Sequence, residues 1–427
     1  MELIIIVIFI LGYVAIAMEH PLRINKAASA LLTCVVCWAL YAFSMEKEVA
    51  NEALLENLSS IISIILFLLG AMSIVETVDM YDGFRIITDR IKTTDKRKLL
   101  WIVSLLTFFM SAVLDNLTTT IVMISLLRKL VEKRRSRMIM SGMIIIAANA
   151  GGAWTVIGDV TTTMLWIGKQ ISVTDVMYQT LLPSLACLLV PLTILSATAR
   201  GRVRTPLKTA LATSLPVRPV ERRVVFFIGI GSLLFVPIFK SLTHLPPFMG
   251  MLLGLSVLWI YTEHVAHIRR RQSDTQRFSV SAAIRRIDMS SVFFFLGILL
   301  CVSVLEQIGL LEQMSSWLDN TIKNQNLIVM SIGGLSSVVD NVPLVAAAQG
   351  MYSFPTDDAF WTFLAYCAGT GGSILIIGSA AGVAAMGLER IDFIWYLRNF
   401  SWLAILGYLA GAGVFLLQHL LLPMHMS

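Results

Sequence analysis

A chain of 427 residues that is 57% hydrophobic and only 14% charged is too apolar for a soluble protein, in which about 25% of residues are charged. Several apolar runs reach the roughly 17–25 residues that a helix needs to cross a bilayer, so we predict an all-α polytopic membrane protein whose main partner is the lipid bilayer. The net charge of +6 does not indicate nucleic acid, because basic residues accumulate on the cytoplasmic loops of membrane proteins.

Twelve apolar segments follow one another along the chain. They cover residues 3–18, 27–44, 59–78, 99–131, 138–168, 176–198, 224–241, 246–262, 289–307, 326–352, 359–388 and 394–420. The segments 99–131 and 326–352 each carry an Asp-Asn pair near the middle, where a charged side chain is costly in hydrocarbon. We predict that these two segments are re-entrant hairpins, whose tips are tolerated at membrane depth only if they are buried in protein or line a wet cavity.

Basic residues favour the hairpin interpretation. The clusters "RIITDRIKTTDKRK" and "RKLVEKRRSR" flank the first hairpin, and both are expected in the cytoplasm, whereas a single crossing would separate them. With ten crossings and two hairpins, only four of the 33 Lys and Arg residues fall outside: Lys47, Lys169, Lys240 and Lys323. The sequence therefore predicts a multi-pass protein of the inner (plasma) membrane with both termini on the periplasmic side.

The chain also repeats itself. The second Asp-Asn pair stands in the same surroundings as the first, and "NAGGAWTVIGDVTT" matches "GTGGSILIIGSAAG". We predict a first repeat over 1–198, a cytoplasmic linker over 199–223 and a second repeat over 224–427. Each repeat has five crossings and one hairpin. Because five is odd, the second repeat enters the membrane the other way up, as in many transporters.

Glycines interrupt one helix in each repeat, at 138–168 and at 359–388. They are Gly151, Gly152, Gly158, Gly371, Gly372 and Gly378. One interpretation is that glycine lets the helix unwind and frees backbone carbonyls to bind a cation. The other is close packing of helices through small residues. The matching positions of the two segments, each just after a hairpin, favour unwinding, and we predict two broken helices.

Acidic residues deep in the apolar segments are few. They are Asp115, Asp159 and Asp340, with Glu76 and Glu306 near the ends of segments as candidates for a proton pathway or as solvated interfacial residues. Carboxylates, amides and hydroxyls are the oxygen ligands that hard cations such as Na⁺ and Li⁺ prefer. No basic residue is predicted at either hairpin tip. Burial favours the protonated carboxyl, so H⁺ is expected to compete with the metal ion.

Four blocks of the sequence resemble the NhaD-type Na⁺/H⁺ antiporters of the ion-transporter superfamily, which includes arsenite permeases and divalent-anion:Na⁺ symporters. The blocks are "SAVLDNLTTTIVMISLLRKL", "IAANAGGAWTVIGDVTTTMLWIGKQIS", "SSVVDNVPLVAAAQGMY" and "AYCAGTGGSILIIGSAAGVAAMGLERIDFIWYL". The resemblance implies scaffold and transport parts, two opposed hairpins, a homodimer and an elevator-like motion. It implies a cation- and proton-binding site formed by Asp115, Asn116, Thr118, Thr119, Thr155, Asp159, Thr161, Thr162, Asp340, Asn341, Thr370, Ser373 and Ser379.

Three functions are considered, of which a channel is disfavoured because two opposed dead-end hairpins argue against a continuous pore. The other two remain as alternatives. The first is a secondary transporter, not an enzyme and without a cofactor, that exchanges Na⁺ and Li⁺ for H⁺, with Na⁺ held at Asp115, Asn116, Asp159, Asp340 and Asn341. The second is a Na⁺-coupled organic-anion or oxyanion permease. In the superfamily's dicarboxylate symporters the hairpin tips look like Ser-Asn-Thr, which is neutral. This chain has Asp in place of Ser at both tips, and the difference favours the antiporter. Asp159 aligns with Ser379, so the first half carries more negative charge.

Overall fold

The computed structural model describes residues 2–18, 24–88, 91, 93–203, 217–269, 279–338 and 340–421. Over these residues the protein is helical, with no strand beyond an isolated bridge between Asp95 and Arg202. The predicted all-α class is therefore confirmed.

The helices of the first half are α1 Glu2–Ala17, α2 Lys26–Ser44, α3 Lys47–Met80, α4 Arg85–Thr88, α5 Lys96–Ser111, α6 Asn116–Leu130, α7 Arg134–Gly152, α8 Val160–Ile167 and α9 Val173–Thr198. Those of the second half are α10 Pro219–Thr243, α11 Pro247–Arg269, α12 Val280–Ile284, α13 Met289–Gln307, α14 Leu310–Ile322, α15 Gln325–Leu335, α16 Asn341–Met351, α17 Ala359–Gly371, α18 Ala380–Glu389 and α19 Phe393–Leu421, the last with a π-helical turn over Leu397–Ser401.

Among the described residues, seven helices are long and apolar enough to cross a membrane: α2, α3, α9, α10, α11, α13 and α19. The polytopic character is confirmed. The ten predicted crossings correspond to these seven helices, the shorter α1, and the two interrupted pairs α7–α8 and α17–α18.

The helices pack as two bundles. Bundle A contains α1–α3 and α10–α13, in which α2 packs on α13 and α11 packs on α3 and α10. Bundle B contains α5–α9 and α15–α19, in which α9 packs on α19, α5 on α7 and α15 on α17. Helices α16 and α8 of bundle B contact α13 and α3 of bundle A. Each bundle thus draws helices from both halves of the sequence.

The two predicted hairpins are helix pairs, α5–α6 and α15–α16, and their connections include the turns at 112–115 and 336–338. Each is fixed to the next helix of its own half by a serine at the start of the turn. The Ser111 hydroxyl donates to the carbonyl oxygen of Ala148 at 2.6 Å, and the Ser336 hydroxyl donates to that of Ala368 at 2.9 Å. The hydroxyls hold both turns against α7 and α17, so the tips reach the ends of these helices.

Both interrupted helices break where the glycines predict. Helix α7 ends at Gly152 before α8 begins at Val160, and α17 ends at Gly371 before α18 begins at Ala380. These glycines are not required by a left-handed backbone conformation, because the only described glycines with positive φ are Gly201 and Gly309. A Cβ on Gly151 would collide with the backbone of Phe108, and one on Gly371 with the backbone of Gly333. Close packing and interruption therefore occur together at these segments.

Some boundaries differ from the prediction. Helix α10 begins at Pro219, inside the predicted linker 199–223, and residues 204–216 of that linker lie outside the described part of the chain. Helix α14 belongs to none of the predicted apolar segments, because polar residues such as Gln313 and Asp319 interrupt its apolar side chains. The basic residues around Arg23, Arg90 and 270–278 also fall outside the described residues.

Candidate cation site

Each hairpin presents its aspartate at the first position before its second helix. Asp115 caps α6: its Oδ1 accepts from the backbone N–H of Thr118 at 2.7 Å, and its Oδ2 accepts from the Thr118 hydroxyl at 2.6 Å. Asp340 stands at the same place before α16 but makes no capping bond through its side chain. The first carboxylate is therefore held by its own helix, whereas the second is free of that constraint.

Asp159 lies where the two hairpin tips meet. It is buried, with 3% of its surface exposed, and caps α8 by accepting from the N–H of Thr161 at 3.3 Å. The amide of Asn116 donates to its Oδ2 at 3.3 Å, and that of Asn341 donates to the same oxygen at 3.2 Å. One carboxylate therefore receives the asparagine of each tip.

Asn149 extends this network to the second broken helix, and sequence reasoning missed it. It is fully buried in α7, accepts from the Asn116 amide at 3.1 Å, and donates to the hydroxyls of Ser373 and Ser379, both at 2.9 Å. A lone amide in an apolar helix, aligned with Gly369 in the second half, is the signal that identifies it. Through Asn149 the structure brings Asn116, Asp159, Asn341, Ser373 and Ser379 together.

The predicted threonines divide by what their hydroxyls contact. Thr155, Thr162 and Thr370 donate to the carbonyl oxygens of Ala112, Asp159 and Tyr366 at 2.6–2.9 Å, which stabilises the turns and helix ends. The hydroxyls of Thr119 and Thr161 are buried without a hydrogen-bond partner among the described residues. A buried hydroxyl of this kind is available to a cation or a water.

A cavity opens beside this network, between the two bundles. Its polar lining includes Lys26, Asp115, Asn116, Asp159, Thr163, Ser291 and Asp340, and apolar side chains such as Phe67, Leu68 and Met72 form the remainder. Three carboxylates against one lysine leave the lining acidic. Such a lining attracts cations and repels anions.

Lys26 corrects the prediction that no basic residue lies at either tip. Its Nζ is 3.6 Å from Oδ2 of Asp340 and 4.4 Å from the centroid of the Phe294 ring. The prediction was wrong because it considered only neighbours in sequence. A lysine at the first position of α2 reaches into the cavity with its long side chain.

In the described part of the chain, no three His, Cys, Asp or Glu side chains converge as a metal site. The three aspartates therefore do not form one three-carboxylate centre. The compact set is Asp159 with Asn116 and Asn341. Rotating either amide by 180° would present its carbonyl oxygen instead of its N–H groups to a cation beside Asp159.

The two predicted glutamates lie elsewhere. Glu76, on α3, is 3.5 Å from Arg286 of bundle A, and Glu306 is exposed near the end of α13. Neither lines the cavity. A third glutamate was not predicted: Glu389, buried at the end of α18, pairs with Arg128 at 2.8 Å and Arg137 at 3.0 Å. These pairs tie the first hairpin and α7 to the second broken helix.

Comparison with known proteins gives a family model described as a citrate transporter, which matches residues 13–369. The chain is 48% identical to "Sodium/proton antiporter 1" of Arabidopsis thaliana over 96% of its length and 72% of that protein. It is 45% identical to "Sodium/proton antiporter 2" of the same plant, over 96% of its length and 98% of that protein. It is 30% identical to "Na(+)/H(+) antiporter NhaD" of Vibrio cholerae, over 98% of its length and 91% of that protein.

Proposed function

The chain belongs to the citrate transporter family, and on that premise we propose that it is a secondary transporter that exchanges Na⁺, and also Li⁺, for H⁺. The names of three relatives, each matched over 96–98% of this chain, support this exchange. The observation that carries the proposal is Asp159: a buried carboxylate in the break of the first interrupted helix, reached by the asparagine of each hairpin.

Asp159 is the group for which the two ions compete. A buried carboxylate is costly when charged and unpaired, so it holds either a proton or a metal ion. With Na⁺ bound, Asn116 and Asn341 turn their carbonyl oxygens towards the ion. With a proton bound, the carboxyl is neutral and the amides return to the hydrogen bonds described above. Exchange follows because only the two neutralised forms move across at low cost.

Asp115 and Asp340 make the entrance acidic. Both line the cavity beside Asp159, so they concentrate cations where the bound ion is handed over. The hydroxyls of Thr119 and Thr161, buried without partners among the described residues, are further candidate oxygen ligands. Ser373 and Ser379 hold Asn149, which in turn orients Asn116.

In this proposal bundle B is the transport part and bundle A is the scaffold. Movement of bundle B against bundle A exposes the site to each side of the membrane in turn. Support comes from the equivalent serine bonds and the equivalent glycine packing of the two hairpins, which fit two structural repeats at 1–198 and 224–427. Opposed repeats allow one site to face either side in turn. A homodimer in the inner (plasma) membrane, with both termini outside, completes the proposal.

An anion permease is the alternative that the family description raises. Citrate carries several negative charges, and the cavity presents three carboxylates against one lysine. Repulsion would oppose entry of the anion unless cations entered with it. The acidic lining therefore favours the cation exchanger.

The test uses purified protein in proteoliposomes loaded at acid pH. Adding Na⁺ or Li⁺ outside is expected to make the interior alkaline, read by a trapped pH-sensitive dye. Asp159→Asn serves as the inactive control with the same side-chain shape. Uptake of labelled citrate that requires Na⁺, with no change of internal pH on adding Na⁺ alone, would replace the antiporter with the permease.

A further inference from the structure

Lys26 has no role in the exchange described above, yet it lines the same cavity as Asp115 and Asp159. Its Nζ lies 3.6 Å from Oδ2 of Asp340, and the two side chains retain 25% and 19% of their exposure. A charge pair that is largely withdrawn from water is screened less than a pair on the surface. Among the described residues that line the cavity, Lys26 is the only basic one.

The pair joins the two bundles. Lys26 is the first residue of α2 in bundle A, and Asp340 precedes α16 in bundle B. The ammonium also lies over the Phe294 ring of α13, which belongs to bundle A, so a cation–π contact holds it on that side. If bundle B moves, Asp340 leaves and Lys26 stays.

We propose that Lys26 is a tethered competitor for the cation site: its ammonium pairs with Asp340 when neither Na⁺ nor H⁺ occupies the site, and this pair holds the bundles in the arrangement seen here. This inference rests on the proposed Na⁺/H⁺ exchange. A cation that enters between the three aspartates meets the positive charge of Lys26. Binding therefore requires the ammonium to withdraw, which releases bundle B to move.

The first test measures the apparent KM for Na⁺ in proteoliposomes. Lys26→Gln removes the competing charge and is expected to lower the apparent KM about fivefold without raising Vmax. Lys26→Arg keeps the charge and is expected to restore the original KM. Lys323→Gln, at an exposed lysine outside the cavity, is the matched control and is expected to change neither value. A purely structural role would reduce the amount of folded protein without lowering KM.

The second test does not depend on transport. The five native cysteines are buried, so a cysteine placed at Ser291, which lines the cavity, is read by its labelling rate with a polar thiol reagent in Na⁺-free buffer. Lys26→Gln is expected to slow this labelling, because the bundles leave the present arrangement, and Lys26→Arg is expected to restore it.

The two measurements separate the proposals. If the wild-type protein moves no protons on adding Na⁺ while labelling still responds to Lys26→Gln, the exchange proposal fails and the pairing role stands. If the wild-type protein exchanges normally and Lys26→Gln changes neither KM nor labelling, the competitor role of Lys26 is overturned.

Discussion

The amide of Asn341 lies 3.2 Å from the carboxylate of Asp159, although 182 residues separate them in the chain. The site is therefore completed only when both halves of the protein fold against each other. Asn116 donates to the same oxygen from the first hairpin, so the carboxylate contacts both tips. Among the described acidic residues that line the cavity, Asp159 is the one that accepts hydrogen bonds from the asparagines of both tips.

Asp159→Asn is expected to abolish Na⁺-driven proton movement, because an amide binds neither a proton nor Na⁺ as a carboxylate does. Ser379→Ala, at the aligned position, is expected to retain most activity, since it removes one acceptor from Asn149 and no charge. Both variants are compared in proteoliposomes at equal protein content. Equal losses in the two variants would contradict the asymmetry of the site.

Lowering the pH is expected to raise the apparent KM for Na⁺. In the proposed mechanism protons and Na⁺ compete for one carboxylate, so each lowers the affinity for the other by the same factor. At saturating Na⁺ the rate is expected to recover its maximum, because enough metal ion displaces the proton. The measurement is a series of Na⁺ titrations between pH 6.5 and 9, a range set by the assay. A KM that stays constant across the series, with only Vmax changing, would place the proton on another residue.

Glu389→Gln is expected to destabilise the protein by about 2 kcal/mol, less than the loss of a fully buried pair because Arg128 is partly exposed. The substitution removes the charge that Arg128 and Arg137 share while leaving the side-chain volume unchanged. Thermal unfolding in detergent, followed by gel filtration, reads the effect. Glu132→Gln, at an exposed glutamate near Arg137, is the matched control and is expected to leave the melting temperature unchanged.

Gly371→Ala is expected to impair folding or transport, because its methyl group meets the backbone of Gly333, which cannot move aside as a side chain can. Gly387→Ala, in helix α18 of the same interrupted pair, has open space around the added methyl and is expected to be neutral. The two variants are compared by yield of monodisperse protein and by exchange rate. Normal behaviour of Gly371→Ala would mean that the hairpin does not pack on α17 as described.

Cysteine labelling tests the predicted orientation. Single cysteines at Ser44 and Ser353 are expected to react with an impermeant reagent from outside, and those at Thr94 and Ser136 only from the cytoplasm. All four positions lie at helix ends or in connections that the structure describes. Reaction of Thr94 and Ser136 from opposite sides would rule out a re-entrant first hairpin.

The local features of the fold were accessible from the sequence. An aspartate in an apolar segment is costly in hydrocarbon, which led to the two predicted hairpins. Glycines at matching positions allow a helix to unwind, which led to the two predicted interruptions. The long-range pairs were not. Lys26 meets Asp340, and Asn149 meets Ser373, only through the packing of distant helices, which no local pattern encodes. Glu389 was not predicted, because a glutamate near the end of an apolar segment reads the same in the sequence whether it is solvated or buried.

Asp159 and Ser379 occupy aligned positions with different side chains, and Asn149 aligns with Gly369. The two aligned segments therefore contribute different groups to the site. Two copies of the first half would set a second carboxylate at the Ser379 position, adding negative charge that one Na⁺ cannot neutralise. Two copies of the second half would place a serine at both of these positions and leave no carboxylate where Asp159 lies. The exchanger therefore depends on a divergence between its halves as much as on their likeness.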